Sequence, residues 1–132
     1  MGPWLVVVHA GAGWHSPQRR KEYKAAMVDA CLQAAMMLSI EDVNDRCQAT
    51  EAVVAALSAL ENSPVTNAGR GSLLNECKEV QMDCGIMEGC TGGFGAVGAL
   101  SNVRNPSQVA GLLLSQSHRA LPLQRLPPMF VF

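Results

Sequence analysis

The sequence predicts a mixed α/β fold, and three observations carry that prediction. An apolar, β-branched run at residues 4–9 leads straight into a glycine-rich turn, which is typical of a strand buried on both faces. Two segments with apolar residues at helical spacing come next, and a pair of short strands separated by glycines follows them. This order of elements mixes layers of helix and sheet.

Two helices are predicted between residues 16 and 61. Ser16-Pro17 is typical of an N-cap and a first helical position, and the first helix should end near Ser39. Its apolar stripe consists of Tyr23, Ala26, Met27, Ala30, Ala34, Met37 and Leu38. A polar loop over residues 41–46 precedes the second helix, from about Gln48 to Glu61, whose abundant alanine implies close helix packing. Its predicted inner face consists of Ala49, Val53, Ala56, Leu57 and Leu60.

A hairpin and a third helix are predicted in the second half of the chain. Residues 78–87 alternate in polarity as a strand does, residues 88–93 form a glycine-containing turn, and residues 94–100 form a strand of small residues. Asn105-Pro106 repeats the cap-then-proline signal, and the helix continues through residues 109–114. The tail from Ser115 is predicted to be irregular until an apolar, strand-like run at residues 129–132. Because a domain rarely closes on bare apolar residues, we expect residues 1–132 to be a truncated part of one domain.

Composition and charge restrict the classes of function. The chain is 48% hydrophobic and 16% charged, as globular proteins are, and its formal net charge is -1. That balance predicts neither a nucleic-acid nor a membrane partner. With no signal-peptide pattern and no spanning apolar stretch, we expect a cytoplasmic or nuclear location. The five cysteines contain no C-x-x-C pair and no ligand spacing with histidine, so we predict reduced thiols, no metal and no cofactor.

Common hydrolytic and nucleotide-binding motifs do not occur in the sequence. It contains no G-x-S-x-G elbow, no H-E-x-x-H helix and no G-x-x-x-x-G-K-[ST] loop. Gly11 and Gly13 begin a G-x-G-x-x-G pattern, but Ser16 occupies its last position. A lone G-x-G is weak evidence for a nucleotide site.

Four other motifs carry a family resemblance because they occur together in one order. They are His9-Ala10-Gly11-Ala12-Gly13, Thr66-Asn67-Ala68-Gly69-x-Gly71, Asp83-x-x-Ile86-Met87-x-Gly89 and Phe94-Gly95-Ala96-Val97-Gly98-Ala99-Leu100. The chain resembles the N-terminal part of the type 2 asparaginase and isoaspartyl-peptidase family from Val6 to about Val131. Three details favour its threonine aspartase (taspase) branch: His-Ala-Gly-Ala-Gly at residues 9–13, Glu61-Asn62-Ser63-Pro64 before Thr66, and Pro127-Pro128 before an apolar strand.

The resemblance implies an N-terminal-nucleophile (Ntn) hydrolase fold, an αββα sandwich whose downstream strands are missing here. Members of this family are made as one precursor that cleaves itself. The new N-terminal Thr of the downstream β-subunit is then the nucleophile, with its own α-amino group or a water as the base. Taspase-like members cut protein substrates after Asp, and smaller relatives hydrolyse asparagine or isoaspartyl peptides. The resemblance also leaves room for a homodimer or heterotetramer.

The nucleophile is expected to be absent from this chain. Its three threonines are Thr50 on the second helix, Thr66 in the loop before Asn67, and Thr91 in the predicted hairpin turn. Thr91-Gly92-Gly93 loosely resembles a processing site, but the family match assigns it to that turn. We therefore expect an α-subunit portion that is inactive alone and needs the downstream segment. The alternative is a non-catalytic regulatory protein that docks onto a full-length homologue.

Supporting roles follow from the resemblance for five residues: Gly11, Ala12, Gly13, Asn67 and Gly69. The glycine loop would approach the cleavage site, unless it is only a tight turn. The Asn67 amide would orient the Thr hydroxyl, unless Asn67 is a loop residue in left-handed conformation. His9 is expected to be a core histidine rather than a base. In asparaginase relatives the loop matching residues 60–70 binds a monovalent cation, and Arg70 puts that cation in doubt here.

Overall fold

The computed structural model describes residues 3–11, 14–40 and 45–132, with side chains described from Gln48 onward in the last range. The chain divides into two compact units, Met1–Leu73 and Leu74–Phe132. The first holds helices α1 (Arg20–Leu38) and α2 (Asp45–Asn62). The second holds strands β1 (Met82–Met87), β2 (Phe94–Leu100) and β3 (Phe130–Val131) with helix α3 (Pro106–Ser117). Short 3-10 turns cover Pro17–Arg19, Gly69–Gly71 and Pro122–Gln124. The mixed α/β fold class is confirmed.

Small side chains form the interface between the two helices of the first unit. Its buried core consists of Ala30, Ala34, Ala52, Ala56 and Leu60. Alanines at this spacing let the two backbones approach closely, as the alanine-rich sequence predicted. Val6, Val8 and Met37 pack against the same core from its margin.

The predicted strand at residues 4–9 is wrong as stated. The segment forms no strand, and only alternate residues face the helices: Val6 and Val8 are half-buried, whereas Leu5 and Val7 are 84% and 80% exposed. The strand pairs of the described residues are β1 with β2 and β2 with β3. A β-branched run supplies the propensity, but a strand also needs a neighbour for its backbone hydrogen bonds.

Helix α1 matches its prediction closely, whereas the inner face of α2 differs. Pro17 opens a 3-10 turn before α1, and Ser39 is the C-cap. In α2 the buried stripe includes Ala52, while Ala49 and Val53 (46% exposed) face outward. A helix rich in alanine offers several similar stripes, and the packing against α1 selects one of them. Of the predicted polar loop 41–46, residues 41–44 lie outside the described residues and residues 45–46 are helical.

The second unit is a hairpin covered by α3. β1 and β2 are antiparallel with a bulge between Met82 and Cys84, and β3 joins β2 in parallel with Ala96 opposite Phe130. Within the bulge the Ala99 N–H donates to Asp83 Oδ1 at 2.7 Å. β2 matches its prediction in both bounds. A Cβ on Gly95 would lie 2.4 Å from the Ala110 carbonyl oxygen, so the glycine permits α3 to pack directly on the strand.

The structure corrects three predictions for this unit. β1 begins at Met82 rather than residue 78, because Lys78 closes a turn in which its N–H donates to the Asn75 carbonyl oxygen at 2.9 Å. Helix α3 continues to Ser117, so the start of the predicted irregular tail is helical. The tail then holds a 3-10 turn at Pro122–Gln124 before β3. No helix within the described ranges combines the length and the hydrophobicity that a membrane span requires.

Val97 should carry much of the stability of the second unit. Its side chain is 1% exposed, in the middle strand under α3. Removing two buried methyl groups and leaving a cavity should cost about 2 kcal/mol of unfolding free energy in Val97→Ala. Urea denaturation would measure the change, and Val53→Ala on the exposed side of α2 should change the unfolding free energy by less than about 0.5 kcal/mol. Equal effects of the two substitutions would contradict this account.

Candidate active-site segments

The glycine loop after residue 9 is described only in part. Gly11 has a φ of +78°, a left-handed conformation that favours glycine, and a Cβ there would meet nothing within 4 Å. Ala12 and Gly13 lie outside the described residues. His15 Nε2 donates to the Gly11 carbonyl oxygen at 3.2 Å, while its ring packs edge-on against Tyr23. Among the described residues, no atom fills the space that a side chain at Gly11 would occupy.

His9 is exposed, so its expected role as a core histidine is wrong. The alternation that turns Val6 and Val8 toward the helices turns residues 5, 7 and 9 away from them. The apolar run at residues 4–8 is continuous and shows no polar/apolar alternation, so the sequence did not indicate which face would be buried.

The loop from Ser63 to Leu73 is fastened to the end of α2. Thr66 is buried, and its Oγ1 donates to the Leu60 carbonyl oxygen at 2.6 Å. The Ser63 N–H donates to the same carbonyl oxygen at 3.1 Å. These bonds satisfy a carbonyl that the helix end would otherwise leave without a partner. The Thr66 hydroxyl is thus engaged in holding the loop.

Two positions in this loop require glycine because backbone atoms of other residues lie too close for a side chain. Gly69 has a φ of +55°, and a Cβ on it would lie 2.4 Å from the Glu61 carbonyl oxygen. A Cβ on Gly71 would lie 2.0 Å from the Thr66 carbonyl oxygen. Glu61 is only 4% exposed beneath this turn. Its burial could not be predicted from the sequence, where Glu61 stood out only as part of a branch signature.

Asn67 is exposed, and its Oδ1 accepts a hydrogen bond from the Leu73 N–H at 3.0 Å. It is not among the residues with positive φ, so the left-handed alternative for Asn67 is wrong. The amide oxygen closes the loop across six residues. The amide nitrogen of Asn67 can donate a hydrogen bond, and a hydroxyl oxygen can be oriented by accepting one.

The other two threonines lie where the sequence predicted. Thr50 is in α2, and Thr91 is in the turn between β1 and β2, where its hydroxyl donates to Glu88 Oε2. Arg70 is exposed, and no cluster of three or more His, Cys, Asp or Glu side chains with metal-binding geometry occurs within the described ranges.

The two candidate segments belong to the same unit and rest on the same pair of helices. Val6 and Val8, just before the glycine loop, pack against the core that includes Leu60. Thr66, just before Asn67, bonds to the carbonyl of that residue. A direct meeting of residues 9–13 with residues 66–71 stays a prediction, since residues 12–13 are not described.

Thr66→Val tests whether the loop depends on the buried hydroxyl. Valine keeps the shape but removes the donor to the Leu60 carbonyl, which should lower the unfolding free energy by about 1–3 kcal/mol. Ser115→Ala is the matched control, because it removes a hydroxyl-to-carbonyl bond of 2.8 Å that is exposed on α3. Thermal melting monitored by circular dichroism would compare them. Equal shifts in Tm would mean that burial of the Thr66 bond is unimportant.

An apolar groove runs between the N-terminal segment (residues 4–8) and α1. One wall is formed by Trp4, Leu5, Val6 and Val8, and the other by Lys24, Met27, Val28, Cys31, Leu32 and Ala35. Lys24 is the charged residue of this lining.

A comparison with known proteins gives the family. A family model described as asparaginase matches residues 2–124. The chain belongs to the asparaginase 2 family. It is 38% identical over 113 residues to an isoaspartyl peptidase/L-asparaginase of Danio rerio, covering 86% of this chain and 35% of that relative.

Two further relatives agree with this assignment. The chain is 37% identical over 117 residues to an isoaspartyl peptidase/L-asparaginase of Homo sapiens, covering 89% of this chain and 36% of that protein. It is 34% identical over 119 residues to a probable isoaspartyl peptidase/L-asparaginase 2 of Arabidopsis thaliana, covering 89% of this chain and 35% of that protein. The chain thus spans about a third of the length of these relatives.

Proposed function

We propose that this chain is the α-subunit portion of a threonine-type amide hydrolase, and that a downstream segment brings the nucleophile. One observation carries the proposal: the chain contains the family's motifs in order but aligns with only 35–36% of the length of each of these relatives. The hydroxyls of Thr66 and Thr91 are each held by a hydrogen bond within the chain. A threonine from outside these residues would then attack the amide carbonyl, with its α-amino group or a water as base.

The downstream segment would complete an αββα sandwich. Residues 4–9 have no strand partner among the described residues, and the groove beside them exposes apolar side chains of α1. A neighbouring strand lies about 4.8 Å away in the hydrogen-bonding direction, so one added strand would pair with that backbone and cover the groove. The segment would also cover Phe130 and Val131 on β3, which are half-exposed.

Asn67 and the glycine loop have supporting roles in this proposal. The Asn67 amide nitrogen would donate to the Thr hydroxyl oxygen while its oxygen keeps the loop closed. Gly11, Ala12 and Gly13 would bring backbone groups near the scissile bond, and Gly69 lets the loop turn back over Glu61.

Members of the family differ in their substrates, and two candidate activities are each supported by a different observation. The taspase branch, an endopeptidase that cleaves itself and then cuts protein substrates after Asp, is favoured by His9-Ala10-Gly11-Ala12-Gly13 and by the Pro127-Pro128 pair. Isoaspartyl peptidase/L-asparaginase activity is favoured by the names of the relatives described above. We propose the endopeptidase as the first candidate, acting in the cytoplasm or nucleus as a homodimer or heterotetramer.

Sequencing the longest transcript that encodes residues 1–132 tests the proposal. We expect the reading frame to continue past Phe132 into a segment with a processed Thr. The purified product should then cleave a peptide after Asp, whereas L-asparagine and a β-aspartyl dipeptide should be poor substrates. The reverse preference would replace the endopeptidase with the second candidate. The 132-residue chain alone should hydrolyse none of the three, and measurable hydrolysis by it would contradict the proposal.

The second class of function is a non-catalytic regulator that docks onto a full-length homologue. The exposed groove and the half-exposed residues of β3 favour it, because the same surfaces would accept a homologous downstream segment in trans. A transcript that stops after Phe132, together with co-purification of the chain with an intact homologue, would support regulation over catalysis.

A further inference from the structure

Arg70 is exposed at the centre of the loop that also presents Asn67. It lies in the 3-10 turn Gly69–Gly71, and the hydrogen bond from the Leu73 N–H to Asn67 Oδ1 closes the loop around that turn. Three residues of chain span at most about 11 Å, so the backbones of Arg70 and Asn67 are near neighbours. The proposed function uses Asn67 and gives Arg70 no role.

The backbone on either side of Arg70 is held in place. Gly69 has no room for a side chain above the Glu61 backbone, and Gly71 has none beside the Thr66 carbonyl oxygen. Close backbone contacts therefore fix both neighbouring positions. A side chain that projects from such a backbone starts from a defined place, which the recognition of a small substrate group requires.

The guanidinium of Arg70 is not committed to a structural contact. Within the described part of the chain it makes no hydrogen bond, ion pair or ring contact. Arg19, by contrast, pairs with Glu22 at 3.2 Å and lies over the Tyr23 ring. A surface arginine without such a contact indicates no function by itself, whereas Arg70 shares a braced loop with Asn67, the residue proposed to orient the nucleophile.

The substrates considered under the proposed function share a carboxylate at a fixed distance from the bond that is cut. In a peptide cleaved after Asp, two carbon atoms separate the side-chain carboxyl carbon from the scissile carbonyl carbon. The same spacing separates the α-carboxyl carbon from the scissile amide carbon in L-asparagine and in a β-aspartyl peptide. One cation close to the nucleophile can therefore recognise the carboxylate of either class.

We propose that Arg70 binds this carboxylate and determines the preference of the enzyme for acidic substrates, an inference that rests on the proposed function. A guanidinium is a permanent cation, and its planar fork of N–H donors matches the two oxygens of a carboxylate. In this arrangement a single loop serves both ends of the two-carbon unit of the substrate. Asn67 orients the nucleophile at one end, and Arg70 holds the carboxylate at the other.

Paired substrates of the full-length, processed enzyme test the assignment. A peptide cleaved after Asp is compared with the same peptide carrying Asn, and L-asparagine is compared with β-alaninamide, which lacks the carboxylate. In Arg70→Gln, kcat/KM should fall about 10- to 100-fold for the carboxylate-bearing member of the pair that the enzyme hydrolyses, mainly through a higher KM. The neutral member should change less than about twofold, so that most of the preference is lost.

Two further variants separate carboxylate binding from a general effect of charge or folding. Arg20→Gln is the matched control, because it removes the same charge from an exposed position on α1 in the same unit, and it should keep the full preference. Arg70→Lys keeps the charge but loses the fork, and it should keep part of the preference. Both Arg70 variants should melt within a few degrees of the parent enzyme.

The outcomes distinguish this inference from the function on which it rests. If the parent enzyme prefers the carboxylate-bearing substrate and Arg70→Gln keeps that preference, the assignment of Arg70 is wrong and the hydrolase activity stands. An equal loss for both members of a pair in Arg70→Gln would also overturn the assignment, because it indicates a disturbed loop. Hydrolysis of none of the four compounds by the parent enzyme would overturn the proposed function and the role of Arg70 together.

Discussion

Replacing Asn67 by Asp in the full-length precursor is expected to lower kcat about a hundredfold without unfolding the loop. Aspartate keeps the Oδ1 that accepts the Leu73 N–H at 3.0 Å, so the contact that closes residues 67–73 survives. It removes the amide N–H groups that would orient the Thr hydroxyl. The loss of one preorganised donor in an active site typically costs 10²–10³-fold in kcat.

Asn75→Asp is the matched control for this experiment. Asn75 Oδ1 accepts the Glu79 N–H at 2.9 Å, which is the same kind of bond in the other unit. Its replacement should leave kcat unchanged, and both variants should melt within a few degrees of the parent protein. A full loss of kcat in both variants, or a large fall in Tm for Asn67→Asp alone, would mean that Asn67 acts through loop structure rather than through its amide donor.

Gly71→Ala is expected to have the largest effect on stability. A Cβ at this position would lie 2.0 Å from the Thr66 carbonyl oxygen and 3.0 Å from the Pro64 carbonyl carbon. Both are backbone atoms, so the loop must move to relieve the overlap. Overpacking of this kind costs about 1–3 kcal/mol and sometimes more, and here the Thr66 hydrogen bond to Leu60 would be lost with it.

Gly89→Ala provides the control, because a Cβ there meets nothing within 4 Å. Urea denaturation should give an unfolding free energy at least about 2 kcal/mol lower for Gly71→Ala and nearly unchanged for Gly89→Ala. In the full-length precursor, Gly71→Ala should also displace Asn67 and lower activity. A stable Gly71→Ala protein would show that the loop has more freedom than the close contact with Thr66 implies.

The ordered motifs pointed to Asn67 and Gly69 as candidate site residues, and the roles of these residues stay predictions. Asn67 and Gly69 stood out because four motifs occurred in one order, and the loop that holds them is fastened to Leu60 at the end of α2. The burial of Glu61 and the contact between Glu88 and His118 could not be predicted, because each depends on a backbone turn that brings distant residues together.

The sequence by itself determined those elements that a short run of neighbouring residues specifies. Proline and its preceding cap residue start α3, glycines bound the β1–β2 turn, and small alternating residues define β2 in both bounds. The family also follows from the sequence, since ordered motifs report a common ancestor without any coordinates.

Tertiary structure alone decided which faces are buried and which extended segments become strands. Residues 4–9 have the composition of a buried strand, yet no strand pairs with them within the described part of the chain, and a strand needs a neighbour at hydrogen-bonding distance. Helix α2 buries Ala52 instead of Val53 because close packing against the alanines of α1 outweighs the hydrophobicity of a single side chain. Both outcomes depend on contacts between segments far apart in the chain, and hydrophobic periodicity within one segment does not encode them.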